Sequence, residues 1–175
     1  DMMGGDFGPE VTVKGLSHAF DQLDNVHANL FGNENEIQNV LDKYPSLNKK
    51  LDIIHTENFV PMDAKPADAI RRIGKDSSMW LSIDSCAKKE SDVVLSAGNT
   101  GALMALSKLI LKTVDGIERP AITALWPNPK GNSVVLDLGA NIDISANQLV
   151  QFGIMGYADA VFLIKNVTPI DALLY

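Results

Sequence analysis

The sequence predicts an α/β fold with a mainly parallel sheet, and three features predict it. Short apolar runs rich in β-branched residues alternate with stretches of helical periodicity. Glycine-rich turns stand where such a run passes into a helix, and polar residues with capping spacing mark several helix starts. The 175 residues are enough to bury a core without disulfide or metal staples, so residues 1–175 read as a single α/β domain, an incomplete portion of a longer chain.

The elements follow in order. Asp1 to Pro9 is a glycine-rich turn, and Pro9 suits the first position of a helix whose apolar face is Val11, Leu16, Ala19, Phe20 and Leu23. Val26 to Gly32 reads as a strand. Asn33 and Glu36 form a capping-box pattern that opens a helix to about Tyr44. Leu51 to His55 is a second strand, followed by a polar loop with Pro61 and Pro66 and by helical stretches at 67–73 and 76–89. Asp92 to Ser96 reads as a strand running directly into Ala97-Gly98-Asn99-Thr100-Gly101 and a helix to about Lys112. Leu103, Met104, Leu106, Leu109, Ile110 and Leu111 surround that helix, which predicts burial on more than one side. Ala121–Trp126 and Ser133–Leu138 are two strands separated by a Pro-Asn-Pro-Lys-Gly turn. Ser145 and Gln148 are spaced as a capping box for a helix through Leu163. A strand is expected ahead of the turn at 1–8, and Asp171 to Tyr175 reads as a strand cut short.

Composition excludes several classes. With 13 glycines and 8 prolines, collagen-like and low-complexity readings fall away. One cysteine, Cys86, excludes an internal disulfide framework and a multi-cysteine zinc site. No apolar run approaches the length of about 18 residues that a transmembrane helix needs, and no signal peptide is recognisable; a soluble, cytoplasmic protein is expected. The net charge of −7 resides in residues 1–63, the remainder being balanced. Such a chain is a poor general binder of nucleic acid, and an anionic partner must meet a local basic patch.

Four segments are candidate sites. Ser96-Ala97-Gly98-Asn99-Thr100-Gly101 lies between a strand and a helix, where unpaired N–H groups and the helix dipole attract anions. Asn99 and Thr100 add side-chain donors, although a tight strand-to-helix turn uses the same residues. Asp137, near the carboxyl end of an apolar strand, either faces the crevice or orders a neighbouring loop; Asn141 is a donor to phosphate or a carbonyl oxygen, or a turn residue. Gly4-Gly5-Asp6 is neither a Walker loop nor GxGxxG, and its glycines serve a ligand or a plain turn. Lys65, Arg71, Arg72 and Lys75 form a basic cluster, with Arg71 and Lys75 one helical turn apart. It suits phosphate or an acidic protein, or is a solvated face. His18, His27 and His55 show no metal-ligand spacing, and Cys86 has no identifiable base.

Six motifs in register carry a family resemblance. They are Asp-x-Met-Gly-Gly-Asp-x-x-Pro at 1–9, Arg71-Arg72 with Ser77-Ser78-Met79, Ser96 through Met104, Glu118-Arg119-Pro120-Ala121, Leu136 through Asp143, and Gln151-Phe-x-x-Met-Gly156. Together they resemble the bacterial phosphate acyltransferases of phospholipid synthesis (the PlsX family). The resemblance implies transfer of a fatty acyl group from acyl carrier protein to inorganic phosphate, without a cofactor or metal. It also implies a three-layer α/β/α sandwich similar to isocitrate and isopropylmalate dehydrogenases, usually a homodimer, and is compatible with peripheral membrane association. In that frame Asn99, Thr100 and Asn141 are the catalytic candidates. Gly4, Gly5, Asp6, Arg71, Arg72, Ser96, Gly98, Gly101 and Asp137 are the candidates for binding phosphate and substrate. The alternatives are an NAD-dependent hydroxy-acid dehydrogenase of the same fold and a non-catalytic phosphate-binding module.

Overall fold

A computed structural model describes residues 1–47, 50–129 and 131–163; the strand expected at 171–175 lies outside them. The chain divides into two units, Asp1–Leu111 and Lys112–Tyr175, and each is described by itself.

In the first unit, helix α1 (Pro9–Phe20) leads to strand β1 (Ala28–Gly32), then helix α2 (Glu34–Leu41) and strand β2 (Leu51–His55). The strands are parallel, with Ala28 opposite Leu51 and Gly32 opposite His55. Parallel pairing requires a crossover, and α2 supplies it. Asn33 caps α2 by accepting a hydrogen bond from the Glu36 N–H at 3.1 Å. Val13 and Phe20 of α1 pack with Leu30 of β1 and with Ile37, Val40 and Leu41 of α2, the last three at helical spacing. The expected apolar face of α1 is corrected here: Val11 is exposed, and Leu23 lies beyond the helix and is exposed as well. Pro9, Val13 and Phe20 are what the helix buries, and the expected Leu16 packs against the same core half-buried.

A second core in this unit joins Val60, Ala69, Met79, Ile83, Ala102 and Leu106. Its helices are α3 (Pro66–Asp68), which continues as a π-helical turn Ala69–Ile73, α4 (Ser78–Ala87) and α5 (Thr100–Ile110). Ser77 caps α4 by accepting from the Trp80 N–H. Contrary to the sequence expectation, α5 is buried mainly along one side. Ala102 and Leu106 are fully enclosed, whereas Leu109 and Leu111 are 49% and 46% exposed.

Asp92 to Ser96 also departs from expectation: it forms no strand ladder among the described residues. Among the described residues β1 is paired with β2 alone. Between β1 and this segment lies a cavity of about 870 Å³, lined in part by Ala28, Leu30, Val94 and Leu95. Without an adjoining strand the segment's β-branched residues cannot form a ladder. What ties it down instead is Asp1, whose nitrogen donates to the Leu95 carbonyl and whose carboxylate accepts from Ser96, with Asn29 donating to Ser91 just ahead of it.

The second unit contains an antiparallel hairpin of β3 (Ala124–Asn128) and β4 (Gly131–Val135), then helix α6 (Ala146–Leu163). The two-residue connection permits only an antiparallel pair. The capping box of α6 is complete: Gln148 N–H donates to Ser145 Oγ, and Ser145 N–H donates to Gln148 Oε1. Ser145→Ala is therefore expected to destabilise this unit by about 1 kcal/mol, read by chemical denaturation. No helix among the described residues is long and apolar enough to cross a membrane.

Candidate functional site

Three segments of the first unit meet at one carboxylate. Asp1 Oδ2 accepts from Ser96 Oγ at 2.6 Å, and Asp1 Oδ1 accepts from Ser78 Oγ at 2.8 Å and from Met3 N–H at 3.2 Å. The glycine turn, the start of α4 and the loop before α5 are thereby tied together. Ser96 Oγ in turn accepts from Gly98 N–H at 3.0 Å. The glycines permit the approach. A Cβ on Gly4 would lie 2.6 Å from the Gly98 nitrogen, and one on Gly98 would lie 2.7 Å from the Met79 methyl. Gly5 has φ +84° and sits against Ala97, a conformation that favours glycine. Of the sequence candidates, Gly4, Gly5, Ser96 and Gly98 are thus brought together, while Asp6 is exposed on the turn.

Asn99 is committed to the protein itself. Its Oδ1 accepts from Ala102 N–H at 2.9 Å, capping α5. Its amide nitrogen donates to the carbonyls of Met62 at 2.7 Å and Ala64 at 2.8 Å, which fastens the 61–64 loop. The next first-turn N–H, that of Leu103, goes to the Asn99 carbonyl. The N–H groups of Thr100 and Gly101 make no hydrogen bond among the described residues, and both residues are exposed. Pro66 of α3 packs on Gly101, 2.9 Å from where a Cβ would stand. What this loop offers an anion is main-chain N–H groups at a helix N-terminus, with the Thr100 hydroxyl beside them.

The basic cluster is rearranged relative to the sequence reading. Arg71 and Arg72 lie on the π-helical turn, and Gly74, at φ +92°, ends it. Lys75 therefore falls outside the helix, where its ammonium stands 5.8 Å from the Trp80 ring centre, and it does not share a helical face with Arg71. Arg72 is 3.8 Å from Asp68 and largely exposed, a pairing of little energetic weight. Arg71 is exposed on the same turn.

In the second unit Asp137 and Asn141 order loops. Asp137 Oδ1 accepts from Ile122 N–H at 2.9 Å, and Oδ2 accepts from Asn141 N–H at 2.7 Å and Nδ2 at 2.9 Å. Asn141 Nδ2 also donates to the Pro120 carbonyl at 3.0 Å. Of the two roles the sequence leaves open for Asp137, these contacts perform the loop-ordering one. A polar network the sequence reading did not single out lies nearby. Gln148 and Asn147 donate to the Glu118 carboxylate, and these hydrogen bonds, Gln148 first, hold its pKa below the ordinary carboxylate value.

The remaining candidates are accounted for locally. His55 Nδ1 accepts from Glu34 N–H at 3.2 Å and its Nε2 lies 3.3 Å from Glu57, so both ring nitrogens are engaged. Cys86 Sγ lies 3.9 Å from the Asp92 carbonyl. No group of three or more His, Cys, Asp or Glu side chains among the described residues converges as a metal site. Asp1 and Ser78, whose contact joins two of these segments, are not among the sequence candidates. Both fall inside quoted motifs, but nothing local links positions 77 residues apart.

The sequence matches the family described as fatty acid synthesis protein over residues 1–174. It is 47% identical over 174 residues to a protein of Sinorhizobium fredii named phosphate acyltransferase, covering 99% of this chain and 50% of that protein. Proteins of the same name from Pelagibacter ubique and a Chelativorans species are 44% and 48% identical, over 98% and 96% of this chain and 49% of each relative. The chain spans about half the length of these curated relatives. The match covers all six motifs, including the glycine turn and the loop that Asp1 joins to it. The chain belongs to the fatty acid synthesis protein family.

Proposed function

We propose that the protein of which this chain is part transfers a fatty acyl group from acyl carrier protein to inorganic phosphate, yielding an acyl phosphate for phospholipid synthesis. The observation that carries this reading is the near-complete alignment of the chain with proteins named phosphate acyltransferase, at 44–48% identity. The site supports it. Two main-chain N–H groups at the start of α5, with the Thr100 hydroxyl, present donors suited to a phosphate or to the oxyanion of a tetrahedral intermediate. Phosphate attacks the thioester carbonyl, the carbon–oxygen bond forms, and the carrier's thiolate leaves with the electron pair of the carbon–sulfur bond. Positioning two reactants is the main requirement of such a step, so no protein nucleophile is assigned, and Cys86 has no part in it.

Asn99, on this reading, acts by holding α5 and the 61–64 loop, while Thr100 touches the phosphate. Arg71 and Arg72 attract phosphate or the acidic carrier, and Asn141 and Asp137 shape loops of the second unit. The intact protein is a cytoplasmic homodimer with a three-layer α/β/α sandwich, able to associate peripherally with membrane. The test is release of free carrier thiol from palmitoyl acyl carrier protein by the complete protein, with and without phosphate. Release only with phosphate is expected. A folded protein that releases none overturns the reading, and reduction of a nicotinamide cofactor by a hydroxy acid would replace it with a dehydrogenase.

A further inference from the structure

We propose that Asp1 is a positioning residue that sets the phosphate-binding geometry of the α5 N-terminus through Ser96. The inference rests on the acyl-phosphate reading of the same site and names the group that shapes it. An ionised carboxylate only accepts hydrogen bonds, and every contact to Asp1's two oxygens described above comes from a donor: Ser96 Oγ, Ser78 Oγ and Met3 N–H.

Ser96 consequently has its proton directed at Asp1 and its lone pair at Gly98 N–H. The chain of contacts Gly98 N–H to Ser96 Oγ to Asp1 Oδ2 has one polarity throughout, and it starts at Gly98, one residue before the cap of α5. Ser78 anchors the other oxygen from a side chain with no exposed surface, at the first position of α4. The carboxylate is thus held from the rigid side and holds the loop on the ligand side. Gly4 backs the same loop at closest approach, so rotation of the 96–98 segment in that direction is blocked sterically, and in the other direction it breaks the Ser96 contact. The relay fixes where the Thr100 and Gly101 N–H groups point, without Asp1 touching the phosphate.

Replacing Asp1 by asparagine preserves size but turns one acceptor into a donor, so the amide cannot accept from both serines. In the complete protein, Asp1→Asn and Ser96→Ala are each compared with wild type by calorimetric titration of inorganic phosphate, by KM and kcat in thiol release, and by circular dichroism. The expected result is that each variant weakens phosphate binding and raises phosphate KM by about tenfold or more, with the KM for the acyl carrier little changed. Because both act in one relay, the double variant is expected to lose little more than either single one. A folded Asp1→Asn variant with unaltered phosphate affinity overturns the proposal, as does a loss confined to kcat with both KM values intact, the pattern of a reduced active fraction. If Asp1→Asn does not fold, Ser96→Ala decides between the same outcomes. Wild-type protein that binds phosphate but never releases thiol sinks the transfer reading and leaves the relay testable by titration; wild-type protein that binds no phosphate sinks both.

Discussion

Gly4→Ala is expected to abolish phosphate-dependent thiol release and to cost about 1–3 kcal/mol of stability. The added methyl carbon would stand 2.6 Å from the Gly98 nitrogen and 2.9 Å from its α-carbon. Both are main-chain atoms, so the two loops must separate. That separation moves the Ser96 contact with Asp1 and the start of α5 together. Gly98→Ala provides the control for stability. Its added carbon meets first the terminal methyl of Met79 at 2.7 Å, the end of a flexible and adaptable side chain. The melting temperature should therefore fall further in Gly4→Ala than in Gly98→Ala. Thermal denaturation of the two complete proteins checks the order, and equal or reversed losses would show that the loops separate easily.

Asn99→Ala is expected to destabilise the first unit by about 2 kcal/mol, combining loss of a helix cap with loss of the amide's bonds to the 61–64 carbonyls. Activity should fall with it, because α5 frays at its first turn and the loop beside it loosens. Asn99→Asp separates the two contributions. The carboxylate still accepts from Ala102 N–H, but it can no longer donate and faces the Met62 and Ala64 carbonyls instead. Aspartate should keep the cap and lose the loop, so its stability lies near that of alanine or below it. Urea denaturation measures this ranking. Stability equal to wild type in Asn99→Asp would mean that the loop contacts carry no weight.

The local features of the fold were legible, and the sites depended on distance. The capping box of α6 could be read because Ser145 and Gln148 are three residues apart and their side chains settle the matter between them. The crossover of β1, α2 and β2 followed from two short apolar runs and the capping spacing of Asn33 and Glu36 between them. Asp92 to Ser96 has the composition of a strand, but a ladder needs a neighbour, and composition says nothing about neighbours. The end of the π-helical turn at Gly74 removed Lys75 from the face that spacing assigned to it. That a loop opens α5 was legible from the small and capping residues at 97–101. What its asparagine does was not, because the carbonyls it holds are 35 and 37 residues away, and Asp1 reaches Ser96 across 95.

The donors that α5 leaves open belong to the main chain, and this bears on how a tight inhibitor of the site would fare under selection. Resistance commonly arises when a side chain contacting the drug is exchanged for another. A compound whose anion is held by the Thr100 and Gly101 amides offers few such exchanges, since apart from proline every residue carries the same N–H. Escape would have to come from bending the loop, through Gly4, Gly98 or Asp1. On the proposed reading, the same bend would spoil the binding of phosphate itself.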